Sequence, residues 1–148
     1  MKTIGELVKG GPLYCVNGRQ TVMEAVQLMA GKHIGALPVL EGDRLVGIFT
    51  ERDLMVRVVA AGKAPADVRV NEVMTTDLVV GEVDETLQDA LNKMQCKECR
   101  HLPVVSGDQL VGVVSVRDLL TLDREVKEQE IQLLDAYIRY IPPPPPRE

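Results

Sequence analysis

Aromatic side chains are almost missing from this chain: they make up 3% of 148 residues, with no Trp and a single Phe. A core must then be built from aliphatic residues and Met, and stacking platforms for single-stranded nucleic acid are nearly absent. Positive charge is also short. With 17 basic against 22 acidic side chains the formal charge is −5, which opposes the field that gives non-specific affinity for nucleic acid. No apolar run approaches the roughly 18 residues that span a bilayer, and Met1 to Glu6 lacks the basic-then-apolar order of a signal peptide. No membrane, no nucleic acid and a cytoplasmic location are the expectation. The three cysteines, Cys15, Cys96 and Cys99, are an odd number and suit a reducing compartment better than a disulfide scaffold.

What the chain does contain is itself, twice. An offset of about 65 residues lays Leu37-Pro38-Val39 on Leu102-Pro103-Val104, Leu45-Val46-Gly47 on Leu110-Val111-Gly112, and Arg52-Asp53-Leu54 on Arg117-Asp118-Leu119. From Thr21 to Leu54 the register needs no gap and yields about 15 identities, far above chance.

The punctuation of each copy predicts its elements. Thr21-x-x-Glu24 and Thr86-x-x-Asp89 read as capping boxes that open a helix. Behind them Val22, Ala25, Val26 and Met29, matched by Leu87, Ala90, Leu91 and Met94, form one apolar stripe at helical spacing. Strands follow at Leu37 to Leu40 and Leu102 to Val105, then Gly42-Asp43 and Gly107-Asp108 as tight turns, then return strands to Phe49 and Val114. Second helices open at Thr50 and Ser115, with Leu54, Val58 and Val59 as the apolar positions of the first, and one more strand per copy is expected upstream, at Leu13 to Val16 and Leu78 to Val83. The fold class is α/β (α+β): two pseudo-symmetric β-α-β-β-α repeats packed sheet to sheet, with matching clefts between them and a C-terminal helix, since about 50 residues bury too little surface to stand alone. The expected division is residues 1–62 and 63–123 for the repeats, 124–141 for an amphipathic helix and 142–148 for a proline-rich tail without fixed structure.

The most informative residues lie where the second strand becomes the second helix: Thr50-Glu51-Arg52-Asp53 and Ser115-Val116-Arg117-Asp118. A hydroxyl followed three residues later by a carboxylate is a capping box, worth about 1 kcal/mol with no ligand required. It does not explain Arg52 and Arg117, cations placed in a first helical turn where the helix field opposes them. An anion bound there reverses the sign, because free N–H groups, the hydroxyl and the guanidinium can together hold a phosphate.

With these motifs on the page, the chain resembles a pair of CBS domains, the module named after cystathionine β-synthase, over roughly residues 3 to 123. The resemblance implies a regulatory, non-catalytic module that binds adenosine-containing ligands between its repeats: AMP, ADP or ATP, with S-adenosylmethionine and NAD ranked behind them. By position it implies ribose contact for Asp53 and Asp118, and phosphate contact for Thr50, Arg52, Ser115 and Arg117. The base would meet Ile34, Gly35, Ala36, Leu37 and Pro38 in one cleft, and Arg100, His101, Leu102 and Pro103 in the other. It further implies a homodimer acting on a partner protein. Upstream the copies differ, with Val8-Lys9-Gly10-Gly11-Pro12 standing where copy two has Met74-Thr75-Thr76-Asp77, so the two clefts are expected to differ in affinity or in occupancy.

The remaining signals are weak. Cys96-x-x-Cys99 is a lone pair where a structural zinc site wants four ligands, so no metal is expected; a thiol-linked regulator or a nucleotide-free scaffold is the alternative function. His33 and His101 do not align with one another and have no nucleophile patterned beside them, which favours the rim of a cleft over catalysis. Leu122 to Ile141 reads as a helix with Val126, Ile131, Leu134, Ile138 and Ile141 along one stripe, which either packs on its own domain or, as the resemblance implies, forms a dimer contact.

Overall fold

In the computed structural model, which describes residues 2–139, each repeat is a three-stranded sheet with helices packed on it. In the first, β1 (Val16–Asn17) runs parallel to β2 (Ala36–Glu41), which pairs antiparallel with β3 (Arg44–Thr50). In the second, β4 (Gly81–Glu82), β5 (His101–Ser106) and β6 (Gln109–Ser115) repeat this order and register, so that Val39 faces Gly47 as Val104 faces Gly112. Strands β3 and β6 lie against each other where the sheets meet. Both hairpins turn on a glycine with positive φ, Gly42 at 62° and Gly107 at 61°, followed by an aspartate with ordinary φ. That is the pattern of a two-residue type II′ turn, whose first position excludes most side chains.

Helices α2 (Val22–Lys32) and α5 (Leu87–Lys97) occupy equivalent places. Thr21 and Thr86 cap them, each hydroxyl accepting from the N–H three residues on, at 3.2 and 3.1 Å. The reciprocal arm of the predicted boxes does not form; Glu24 instead takes the side-chain amide of Gln20 at 3.1 Å. The upstream strands are shorter than predicted, two residues each. Residues 12–14 line a cleft rather than a ladder, and the Val80 carbonyl accepts from Lys93 Nζ at 2.9 Å.

The two cores exchange their lead-in segments. Helix α1 (Ile4–Val8) precedes the first repeat but docks on the second: the Ile4 and Gly5 N–H groups donate to the carbonyls of Glu85 and Val83, both at 3.0 Å. Ile4 is fully buried there beside Leu102, Met94 and Leu119, which contributes roughly 2 kcal/mol. Helix α4 (Val70–Val73) does the converse, placing Val70 and Val73 in the core of the first repeat with Phe49, Val22 and Leu37. Neither repeat has a complete core of its own, which ties them into one body.

The second helices differ. In the first repeat α3 (Glu51–Asp53) continues as a wider π turn, Leu54–Val59, and the chain leaves it at Gly62 and Pro65. Val58 is buried as predicted, whereas Val59 is exposed because the wider winding rotates it out of the core. In the second repeat α6 runs unbroken from Val116 to Arg139, since no Gly or Pro interrupts it; the predicted second and C-terminal helices are one. Its outer half is a shaft braced by i,i+4 ion pairs, Arg124 with Glu128 and Lys127 with Asp123. Ile131, Leu133 and Leu134 are exposed on it. Ile141, the Ile138 side chain and the proline run lie outside the described residues.

Candidate functional site: a cleft between the repeats

The C-terminal ends of β3 and β6 build two similar helix starts. At each the capping box closes in both directions: Asp53 N–H donates to Thr50 Oγ1 at 3.2 Å and Thr50 N–H to the Asp53 carboxylate at 3.0 Å. The corresponding distances for Ser115 and Asp118 are 3.0 and 3.2 Å. The first helical N–H is engaged as well, Glu51 with the Gly35 carbonyl at 3.0 Å and Val116 with that of Arg100 at 2.9 Å. What each start retains is the N–H of Arg52 or Arg117 and that residue's guanidinium, for which no ion pair is found among the described residues.

The aspartates then diverge. Asp53 is 5% exposed and already engaged. Thr75 Oγ1 donates to its carboxylate at 3.0 Å, and the Arg57 guanidinium stands 3.7 Å away while also donating to the carbonyls of Val73 and Met74. Thr75 is fixed by two backbone bonds with Ile48, both 2.9 Å, and Met74 presses against Gly47, where an added Cβ would lie 2.5 Å from its sulfur. Segment 73–75 therefore seals this corner. Around Asp118 the equivalent segment starts alike, with Val8 against Gly112, but Gly10 at φ 76° and the Gly11 N–H to Val8 carbonyl bond, 3.1 Å, turn the chain away. Leu122 stands where the first repeat has Arg57. Asp118 is exposed, and its only hydrogen-bond donor among the described residues is the Ser115 N–H.

Two hollows open beside it. A smaller one, of about 460 Å³, lies between α1 and α6 and reaches Arg117, Asp118 and Thr121. The larger, of about 880 Å³, runs across both repeats. Its walls are Pro12, Leu13 and Tyr14; His33, Ile34, Gly35, Ala36 and Glu51; and Arg100, His101, Val113, Ser115, Arg117, Asp118 and Thr121. A third hollow of about 1060 Å³ lies between the hairpin turns, beside Asp43 and Asp108.

Of the residues predicted for two separate clefts, the large hollow gathers Ile34, Gly35 and Ala36 from one set and Arg100, His101, Ser115, Arg117 and Asp118 from the other. Leu37 and Leu102 do not line it; their side chains are wholly buried in the two cores, and Pro38 and Pro103 are buried in the strands. Thr50, Arg52 and Asp53 line none of the three hollows. Sequence reasoning missed Tyr14 and Glu51 in the walls, and Thr75 and Arg57 in the seal. The one available signal was position 51, where the repeats differ as Glu against Val116.

The electrostatics of the hollow centre on His101. Burial pushes its imidazole below the ordinary histidine value, while the carboxylates of Glu51 and Asp118 pull it up and Arg100 pulls it down. Burial also raises the Cys99 thiol, and Cys96 is an exposed free thiol. Among the described residues no group of three or more His, Cys, Asp or Glu is placed to hold a metal ion, and no helix is long and apolar enough to cross a membrane.

The family comparison finds the same duplication: the model of the CBS domain matches residues 4–60 and again 70–125. The chain belongs to the CBS domain family. It is 40% identical over 104 residues to the CBS domain-containing protein YhcV of Bacillus subtilis, covering 70% of this chain and 74% of that one. Among solved structures it resembles a putative signal-transduction protein with CBS domains from Burkholderia ambifaria, at 35% identity and a TM-score of 0.75, covering 80% and 91% of the two chains. A CBS domain pair solved in complex with 5′-methylthioadenosine and S-adenosyl-L-methionine shares the fold, at 23% identity and a TM-score of 0.75 over 84% of this chain and 98% of that one. CBS pairs are regulatory ligand-binding modules, and this one has the inter-repeat cleft such a role requires.

Proposed function

We propose that this CBS pair is a non-catalytic regulator that binds one adenine nucleotide, of the AMP, ADP or ATP type, in the cleft beside Asp118. The observation that carries the reading is the coincidence in that cleft of a carboxylate, a guanidinium and a helix N–H with no side-chain partners, next to apolar walls. The Asp118 carboxylate suits a ribose diol, which offers two donors. Ser115, the Arg117 N–H and the Arg117 guanidinium suit a phosphate. Tyr14, Ile34, Ala36 and His101 offer the base a partly apolar surface, and the volume is within the range of small-molecule sites. The adenosine-derived ligands of the structurally similar pair support the ligand class.

At the other motif a ligand must first displace the Thr75 hydroxyl from Asp53, so one site per chain is proposed, with the Asp53 set (Thr50, Arg52, Asp53) structural in the free protein. Binding shifts the packing of the repeats only by its differential affinity for two arrangements, and that shift would be what a cytoplasmic partner protein detects. Exposed Leu120, Ile131, Leu133 and Leu134 on α6 support homodimerisation through that helix, read by light scattering during size exclusion.

Calorimetric titration with AMP, ADP, ATP, S-adenosylmethionine and NAD tests the ligand. A stoichiometry near one with an adenine nucleotide, lost in Asp118→Ala, is the expected result. Absence of any binding would leave the scaffold or thiol-linked alternative.

A further inference from the structure

We infer that Glu51 is a charge filter that makes the cleft favour adenosine monophosphate over the di- and triphosphate. The inference deepens the nucleotide reading above and rests on it. Four formally charged groups in the cleft wall decide the matter: Arg100 and Arg117 against Glu51 and Asp118, with the imidazoles of His33 and His101 in the same wall and both carboxylates acting on His101. The two guanidiniums offset the two carboxylates, and the lowering of the His101 imidazole by burial favours its neutral form. A ribose on Asp118 and one phosphate on Arg117 leave Arg100 to face the remaining anionic charge. A triphosphate carries about two further negative charges into the same space, where Glu51 is the carboxylate of the first-repeat wall.

Glu51 is free to act in this way. It makes no ion pair with any described residue, and its backbone N–H is tied to the Gly35 carbonyl at 3.0 Å, which fixes where the side chain starts. An added Cβ on Gly35 would lie 3.0 Å from Glu51 Oε1 and 3.3 Å from His101 Nε2, so carboxylate and imidazole converge on one bare stretch of backbone inside the cleft. The fold does not ask for an acid there. A carboxylate in a first helical turn is favourable, but the equivalent helix start of the second repeat has Val116, and the box that caps each helix uses the aspartate two residues on. The acid lines the same cleft as Ser115 and Arg117, and His101, which it approaches at Gly35, pairs with Ser115 across β5 and β6.

The experiment is a calorimetric series of adenosine, AMP, ADP and ATP, free of divalent cations, on the full chain and on Glu51→Gln. With the native protein AMP is expected to bind tightest and ATP more weakly by roughly tenfold, the effect of one extra like-charge contact in a half-wet site. In Glu51→Gln the ATP-to-AMP ratio, each referred to adenosine in the same variant, is expected to move most of the way to one. If adenine nucleotides bind but ATP equals or exceeds AMP in the absence of divalent cations, or the ratio is unmoved in the variant, the filter is wrong and the nucleotide site stands. If none of the four binds, the nucleotide reading falls and the filter with it. Circular dichroism of the variant separates a changed site from a changed fold.

Discussion

Asp53 and Asp118 occupy the same position of the same motif, close the same capping box, and have opposite environments. The first is buried under Thr75 and Arg57; the second faces an open cleft. The difference does not come from the motif. It comes from the segment that passes over it, Met74-Thr75 in one case and a chain turned aside at Gly10 and Gly11 in the other. A duplicated site thus becomes one structural corner and one binding corner by substitution outside the site itself.

Alanine at the two aspartates should break this comparison most widely. Asp53→Ala removes a cap and the acceptor for Thr75 from a buried corner, and is expected to cost about 3 kcal/mol of stability in urea unfolding. Asp118→Ala is expected to cost only about 1 kcal/mol of stability yet to weaken nucleotide binding by roughly 100-fold, because two ribose donors lose a charged acceptor. Equal unfolding midpoints for the pair would erase the distinction. The arginines should follow the same division: Arg117→Met weakens binding by roughly tenfold, whereas Arg52→Met leaves the isotherm nearly unchanged.

Thr75→Val tests the seal directly. Loss of one hydroxyl from a charged acceptor is expected to lower stability by about 1 to 2 kcal/mol, and a second, weak nucleotide site in the calorimetric stoichiometry would show that the corner had opened. The smallest effect concerns pH. His101 has no counterpart in the first repeat, where Ala36 stands. Since burial holds its folded value below the ordinary 6.5, the unfolded chain takes up the proton first as pH falls, and stability present above that value is lost below it. Urea midpoints measured from pH 7.5 downwards should fall less steeply in His101→Gln than in the native chain.

Much of this was legible in the residues. The doubled Leu-Pro-Val, Gly-Asp and Arg-Asp-Leu signatures predicted two similar sheets and helices, and their turns and caps formed at those residues, because such signals act within four or five positions of the chain. Val59 fell outside the core because a π turn changed its phase, which no apolar spacing announces. The upstream strands were overestimated for a similar reason: Leu13 and Tyr14 have the composition of a strand, and packing gave them to the cleft instead.

The amino-acid order by itself determined that there are two copies, where their helices start, and that each start presents an arginine to a possible anion. Only the tertiary structure decided that α1 and α4 change places, that one aspartate is covered and the other bare, and that Glu51 meets His101. Those outcomes join residues tens of positions apart, such as Thr75 to Asp53 and His101 to Glu51, and contacts of that kind are settled by which surfaces pack together rather than by what stands next in the chain.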